Sequence, residues 1–291
     1  MSVPDLYFIN DTRKTKDFNE KTFCGYLRKD VLNAFQKSIL NYKIENACNW
    51  TTELIISGQL DKVWDRIINI FSKNININNP LLPNLIYRRL DKFINICKDT
   101  KYKNNIIELR NNQSVRNMLC ELIIILTTST KGNSINLIKI PNDNFNINNI
   151  KNKFIIENNK VKSNKIVDEI YDINDPKELK IIFTQLTHSL ETKYEYALFW
   201  LSWILEWEKL NIKKYKKYIC GYRNIKGIDK KYHTEIVWII WEIILKNTIY
   251  RDIDLLNTQI QSLYKIFKFG YSSKKNRRIH LIIHSIKLLT E

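Results

Sequence analysis

The sequence predicts an all-α protein, an antiparallel array of helices, and three observations support this class. Apolar residues recur at spacings of three and four through much of the 291-residue chain. Only six glycines and five prolines are present, which is too few for the many tight turns of sandwiches, barrels and doubly wound sheets. Hydrophobic residues make up 44% of the chain and aromatic residues 12%, so a sizeable core can be buried.

Short helices joined by tight turns are predicted in the first half of the chain. Residues 1–22 are polar and form an expected extended lead-in, after which Asp30 is a predicted N-cap. Gly58 suits the left-handed position that ends a helix, and Pro83 suits the first turn of the next one. The predicted helices cover residues 31–40, 44–57, 61–77, 84–97 and 115–128.

An Asn- and Lys-rich stretch follows at residues 133–165 and marks the best candidate for a subdomain boundary. It is interpreted as a connector, with a short β-hairpin of FIIE and KVK around Asn158 and Asn159. The alternative is a surface insertion in one continuous domain. The predicted organisation, in chain order, is a lead-in at residues 1–22, a helical subdomain at 23–132, a connector or insertion at 133–175 and a tryptophan-rich helical subdomain at 176–291.

The second half is predicted to be helical and rich in tryptophan. Helices are expected at residues 179–190, 194–210, 234–245, 254–269 and 278–289. Aromatic rings on the second of these fall three and four residues apart, and the third is its expected partner, because both carry large apolar stripes. A tryptophan core is the favoured interpretation; the alternative is a base-stacking surface, which requires exposed rings. The aromatic residues concerned are Tyr196, Phe199, Trp200, Trp203, Trp207, Trp238 and Trp241.

The formal net charge is +17, from 47 Lys and Arg against 30 Asp and Glu. A balance this basic indicates a polyanionic partner such as DNA, bound without sequence specificity. The alternative is a compositional bias, since Ile, Asn and Lys are all abundant. The candidate contacts lie in two basic clusters, one at 213–223 and one near the end of the sequence: Lys213, Lys214, Lys216, Lys217, Arg223, Lys274, Lys275, Arg277 and Arg278.

No catalytic motif is present in the sequence. It contains no glycine-rich phosphate loop, and the pair His280 and His284 lacks the glutamate of a zinc protease helix. We therefore expect a non-enzymatic protein with no cofactor or metal, an enzyme of unrecognised type being the alternative. Five scattered cysteines without a Cys-x-x-Cys pair suggest a reducing compartment. With no signal peptide and no apolar run near ~20 residues, an intracellular, soluble protein without a membrane partner is expected.

One stretch, residues 31–80, carries a recognisable pattern of helix-forming and turn residues. Its positions are Phe35-Gln36-Lys37-Ser38-Ile39, Glu45, Ala47, Trp50, Glu53-Leu54, Ser57-Gly58, Trp64, Arg66, Ser72, Ile75 and Asn79-Pro80. In their order and spacing these residues resemble the C-terminal helical region of the replication-associated recombination ATPases, the Werner-helicase-interacting group of AAA+ proteins related to clamp loaders. The sequence departs from the family pattern at Leu40-Asn41, Lys73-Asn74 and Asn76, and the ATPase module is absent.

The resemblance implies a collar-like helical scaffold that oligomerises or docks on partners. It implies as partners DNA, replication or repair proteins, an AAA+ ATPase on another chain, or further copies of this chain. Together with the basic clusters, the resemblance predicts a non-enzymatic accessory protein in DNA replication or repair. The alternative is a basic structural protein of a virus particle or nucleoprotein, which the charge and the lack of catalytic motifs favour. Stand-alone proteins of this kind resemble products of large DNA viruses. The implied interaction residues are Phe35, Gln36, Lys37, Trp50, Trp64 and Arg66.

Overall fold

The computed structural model describes residues 8–103, 105–154, 161–272 and 275–290, without the side chains of residues 76, 161, 162 and 275–277. Within these ranges the chain is helical, and its one extended pairing is an isolated antiparallel bridge between Lys21 and Leu27. The predicted all-α class is confirmed. The chain divides into two compact units, Met1–Ser134 and Ile135–Glu291.

Within its described residues the first unit has six α-helices, and α2 lies at their centre, packed on both α1 and α6. Gly58 follows α2 with φ +66°, as expected for a left-handed terminus. Asn112 caps α6 by accepting the Val115 N–H at 3.1 Å. Asp30 lies inside the first turn of α1 rather than capping it. The helices are α1 Arg28–Leu40, α2 Ile44–Ile56, α3 Leu60–Ile70, α4 Leu82–Cys97, α5 Thr100–Lys103 and α6 Gln113–Thr128.

The described part of the lead-in, residues 8–22, packs onto the first unit. The Ile9 N–H donates to the Asn111 side-chain oxygen at 2.8 Å, and the Gln59 side chain donates to the Phe18 carbonyl at 3.3 Å. Phe18 is buried on a short 3-10 turn. These contacts are made by backbone groups to residues 41 to 102 positions away, so periodicity within the segment could not indicate them.

The described part of the second unit has six further α-helices, with α10 packed on α7, α8, α11 and α12. Helix α12 is surrounded: every side chain from Leu281 to Ile286 is buried. The helices are α7 Val161–Ile170, α8 Lys177–Ser189, α9 Tyr194–Tyr215, α10 Val237–Arg251, α11 Asp254–Lys268 and α12 Lys275–Thr290. Among the residues that the structure describes, no helix is both long and apolar enough to cross a bilayer.

The expected direct pairing of the two tryptophan-rich helices is wrong. Helix α9 packs mainly on α8 and α12, and α12 also contacts α10. The run LIIHSI of α12 is apolar on nearly every face, so it is most stable with neighbours on both sides. Trp200, Trp203, Trp238 and Trp241 are nevertheless all buried, at most 1% exposed, as a tryptophan core requires.

Residues 135–154 pack against α9 instead of forming a loose connector. Trp203 donates its indole N–H to the Asn144 carbonyl at 2.8 Å, and Phe154 lies 5.7 Å from the Trp200 ring, centroid to centroid. The second arm of the predicted hairpin is wrong, since Val161 begins helix α7. The remainder of that hairpin, at 155–160, lies outside the described residues.

Candidate nucleic-acid interface

Helix α9 extends five residues beyond its predicted end and carries the first basic cluster at its C-terminus. Lys213 and Lys214 belong to the last turn, where positive charge is favoured by the helix dipole. Lys216 takes the left-handed conformation at φ +59°, and its N–H caps the helix by donating to the Ile212 carbonyl at 2.8 Å. Together with Lys217 these lysines are exposed, and the chain then leaves the helix into a loop at residues 216–236.

A buried ion pair fixes this loop to the rest of the second unit. The Arg223 guanidinium donates to Asp175 Oδ2 at 2.6 Å and to Oδ1 at 3.2 Å. The side chains of Arg223 and Asp175 are 8% and 0% exposed, so the pair is largely screened from water and its attraction is strong. Arg223 Nε also donates to Glu242 on α10 at 3.2 Å. Burial raises the pKa of Glu242, and the Arg223 charge opposes that rise.

Arg223 is therefore not the DNA contact that its sequence neighbourhood predicts. Its guanidinium donates inward, to two carboxylates and to the Ile170 carbonyl. Gly221 is required beside it, since a Cβ there would lie 2.9 Å from Arg223 Nη1 and 3.1 Å from Asp175 Oδ1. The Gly221 N–H instead donates to Asp175 at 2.8 Å. Arg223 acts as the anchor of the loop.

A second set of buried contacts holds the end of the loop where α10 begins. The Ile236 N–H donates to Glu208 on α9 at 2.8 Å, and the Tyr271 hydroxyl donates to Glu235. Burial and the nearby Glu235 carboxylate raise the pKa of both Tyr218 and Tyr271, so these phenols stay protonated donors. The loop is thus fixed at several points, although it contains no regular element beyond the short 3-10 turn Lys230–Tyr232.

The lysines of the loop point outward. Lys226 and Lys230 are exposed, as are the four at the end of α9. Burial lowers the pKa of Lys268 on α11, and the positive charges of Lys226 and Lys265 lower it further, so Lys226 extends the positive region toward α11. The four lysines at the end of α9, together with Lys226 and Lys230, form no ion pair with an acidic side chain in the described part of the chain. We call them the lysine surface: Lys213, Lys214, Lys216, Lys217, Lys226 and Lys230.

The second predicted basic cluster contributes differently. Lys274 lies outside the described residues, and Lys275 and Arg277 fall on α12 with side chains that are not described. Arg278 is only 5% exposed and donates to the Phe267 carbonyl at 2.8 Å and to the Phe269 carbonyl. It satisfies the last carbonyls of α11, so its prediction as a DNA contact is corrected to a structural role.

The residues implied by the collar resemblance divide between core and surface of the first unit. Phe35 and Trp64 are fully buried, and Trp64 lies 5.5 Å from the Phe93 ring, centroid to centroid. Arg66 donates to Gln36, which joins α3 to α1. Lys37 is exposed, and Trp50 is half-buried with its ring edge-on to Tyr26 at 5.6 Å. Lys37, Gln36, Trp50 and Arg66 are accessible to a partner.

The described residues include possible metal-binding side chains and line several cavities. Among them, no group of three or more His, Cys, Asp or Glu side chains could hold a metal ion. A cavity of about 420 Å³ in the first unit is mainly apolar, lined by Phe8, Ile55, Ile56 and Cys120 among others. A smaller cavity of about 230 Å³ in the second unit has one carboxylate, Glu208, in its lining.

The fixing residues of the loop were missed by reasoning from the sequence. Neither Asp175 nor Glu242 stands out in the sequence, because Asp175 precedes Pro176 near a predicted helix start and Glu242 interrupts an apolar run. Two features of the sequence could have indicated the contact: Glu242 places a carboxylate inside the apolar run of α10, and Arg223 lies in the loop between Gly221 and Gly227. Comparison of the chain with protein-family models, with characterised proteins and with solved structures finds no match.

Proposed function

We propose that this chain is a non-enzymatic accessory protein of DNA replication or repair that holds the DNA backbone on its lysine surface. One observation carries the proposal: six exposed lysines, which have no acidic partner among the described residues, lie on a helix end and on a loop that the buried Arg223–Asp175 ion pair holds in place. Exposed lysines neutralise phosphates and release condensed counterions, which supplies most of the affinity of sequence-independent binding.

The composition of the surface sets the kind of recognition. Arg223 and Arg278, two of the three arginines of the predicted clusters, are buried, so bidentate reading of guanine is not expected from them. Lysine acts as a mobile point charge and contacts any phosphate. The fixed loop reduces the conformational entropy that binding would otherwise cost, which favours a specific docking surface over a disordered basic tail.

A salt titration of DNA binding tests this proposal. Fluorescence anisotropy with a labelled oligonucleotide gives the slope of log Kobs against log salt concentration. We expect the triple variant Lys213→Gln, Lys214→Gln, Lys217→Gln to reduce that slope by about two, because each lost phosphate contact removes about 0.7 to 0.9. The variant keeps Lys216, whose left-handed backbone restricts substitution.

A matched variant separates a local surface from net charge. The triple variant Lys139→Gln, Lys177→Gln, Lys193→Gln removes the same charge from exposed positions elsewhere in the second unit. We expect its slope to change by less than half as much as that of the first variant. Equal slopes for the two variants, or no DNA binding by the unaltered chain at low salt, would overturn the proposal.

The surface side of the collar-like helices is proposed to dock on a replication or repair protein, on an AAA+ ATPase of another chain or on a second copy. Lys37 and the Arg66–Gln36 pair, which bridges α1 and α3, lie where a partner can reach them. Sedimentation equilibrium of the full chain tests self-association: an oligomer that dissociates in Lys37→Glu supports a second copy as the partner, and a monomer at all concentrations rejects it.

A further inference from the structure

The exposed aromatic rings nearest to the lysine surface are tyrosines, not tryptophans. The tryptophans of the second unit are at most 5% exposed, so none can stack on a base. Tyr215 and Tyr222 are 48% and 50% exposed, and both lie within the basic segment. A ring stacks on a nucleotide base only where its face is accessible.

The two residues that flank Tyr222 in the sequence both form hydrogen bonds that fix the backbone beside it. The preceding Gly221 donates its N–H to Asp175, and the following Arg223 forms the buried ion pair with the same carboxylate. The Tyr222 ring lies against His233, with centroids 4.9 Å apart and planes inclined by 52°. The ring is therefore presented from a fixed backbone, and less entropy is lost when a base packs on it.

Tyr215 is the last residue of α9 and lies among exposed lysines. The Nζ of Lys214 is 4.8 Å from the centre of the Tyr215 ring, so a phosphate-binding charge is adjacent to a possible stacking face. Tyr215 and Tyr222 are seven positions apart in the sequence, so their Cα atoms are at most about 25 Å apart. Binding sites of about 4–16 nucleotides are usual where aromatic rings and a basic groove act together.

We propose that the DNA held on the lysine surface is single-stranded, with Tyr215 and Tyr222 stacking on its bases; this rests on the proposed function. A duplex buries its base faces in its own stack and offers only phosphates to this surface. A single strand offers both phosphates and base faces. Stacking does not depend on base sequence, because every base has a π-face. The contacts of the lysines with the phosphate backbone are independent of sequence as well.

Three ligands and one double variant test the inference with the full chain. The labelled ligands are a twenty-nucleotide oligothymidine, a duplex of the same length, and an abasic strand of the same backbone charge. We expect the oligothymidine to bind about tenfold more tightly than the abasic strand, since the abasic strand has no rings to stack. The variant Tyr215→Leu, Tyr222→Leu should lose about tenfold in affinity for oligothymidine and keep its affinity for duplex.

A control tyrosine and the pattern of outcomes keep the test decisive. Tyr196→Leu removes a ring that is also 48% exposed, near the opposite end of α9, and should leave all affinities unchanged. Equal binding of oligothymidine and abasic strand, or full oligothymidine affinity in the double variant, overturns the inference and leaves backbone binding standing. Absence of binding to every ligand overturns the proposed function as well. The abasic comparison uses the unaltered chain, so it stands even if the double variant fails to fold.

Discussion

Replacing Asp175 with asparagine sets two effects on DNA binding against each other. The substitution keeps the shape of the side chain and its acceptor for the Gly221 N–H, but removes the charge that fixes Arg223. It also raises the net charge by one, from +17. If charge alone governs binding, Asp175→Asn should bind DNA more tightly. If the fixed loop matters, it should bind more weakly.

The magnitudes favour the second effect. One additional charge at about 10 Å from a phosphate in water contributes only about 0.4 kcal/mol, and salt screens it further. Ordering a released loop costs roughly 1–2 kcal/mol for each residue fixed. Removing one partner of a buried pair also lowers the free energy of unfolding, by about 3–5 kcal/mol. We expect weaker DNA binding together with a lower urea midpoint.

Two measurements on the same protein check this prediction. Tryptophan emission follows urea unfolding, since the tryptophans of the second unit are buried, and anisotropy follows binding at one salt concentration. The control is Glu242→Gln, at a side chain that is 35% exposed. Unchanged or tighter DNA binding by Asp175→Asn, with the urea midpoint lowered, would show that the order of the loop does not contribute to affinity.

The control variant carries its own pH dependence. Because burial raises the pKa of Glu242 above its usual 4.5, the folded state binds that proton more tightly than the unfolded state. The contribution of Glu242 to stability is therefore fully present below pH 4.5 and is lost as pH rises through the raised pKa. We expect Glu242→Gln to lose less than about 1 kcal/mol at neutral pH, well below the loss in Asp175→Asn.

The remaining predictions concern the core of the second unit. Burial, and secondarily the charge of Lys287, lowers the pKa of His284 from 6.5 to about 3. The contribution of neutral His284 to the free energy of unfolding is therefore fully present above pH 6.5 and is lost as the pH falls toward 3. The loss amounts to about 5 kcal/mol at most. His284→Leu should flatten the acid limb of a plot of unfolding free energy against pH, whereas the half-buried neighbour His280→Gln should not; an unchanged acid limb in His284→Leu contradicts the assignment. Trp203→Phe should cost about 1–3 kcal/mol, because the Asn144 carbonyl loses its indole donor, and should speed proteolysis within residues 135–154. Trp207→Phe on the same helix is the control, and equal cleavage rates in the two variants would refute the packing role of Trp203.

The helices were predictable where local signals coincide. Gly58 and Pro83 placed the ends of α2 and α4 within two residues, because left-handed termini and first-turn prolines depend on nearby backbone alone. Helix α7 was missed, since its lysine- and asparagine-rich sequence resembles the preceding loop, and part of its burial comes from α10, which lies far along the chain. The pairing of α9 with α10 was wrong for the same reason: periodicity identifies an apolar face but not what covers it.

The candidate site shows the same limit at the level of single side chains. Lys213, Lys214, Lys216 and Lys217 are exposed as expected from their position in the sequence. Arg223 has a similar basic neighbourhood, yet its partner Asp175 lies 48 residues earlier. The sequence alone does not distinguish the exposed lysines from Arg223, because only the folded chain shows which positive side chain has an acidic partner.

Helix α12 has a consequence for the order in which this protein is made. It packs on α9, α10 and α11 and is buried along its middle two turns, yet it is synthesised after all three of these helices. Until it leaves the ribosome, the faces of those helices that pack on α12 lack the neighbour that covers them. The second unit therefore completes its core only after translation of α12, whereas the first unit can fold while synthesis continues. During that interval the nascent chain exposes the apolar faces that α12 covers in the folded unit.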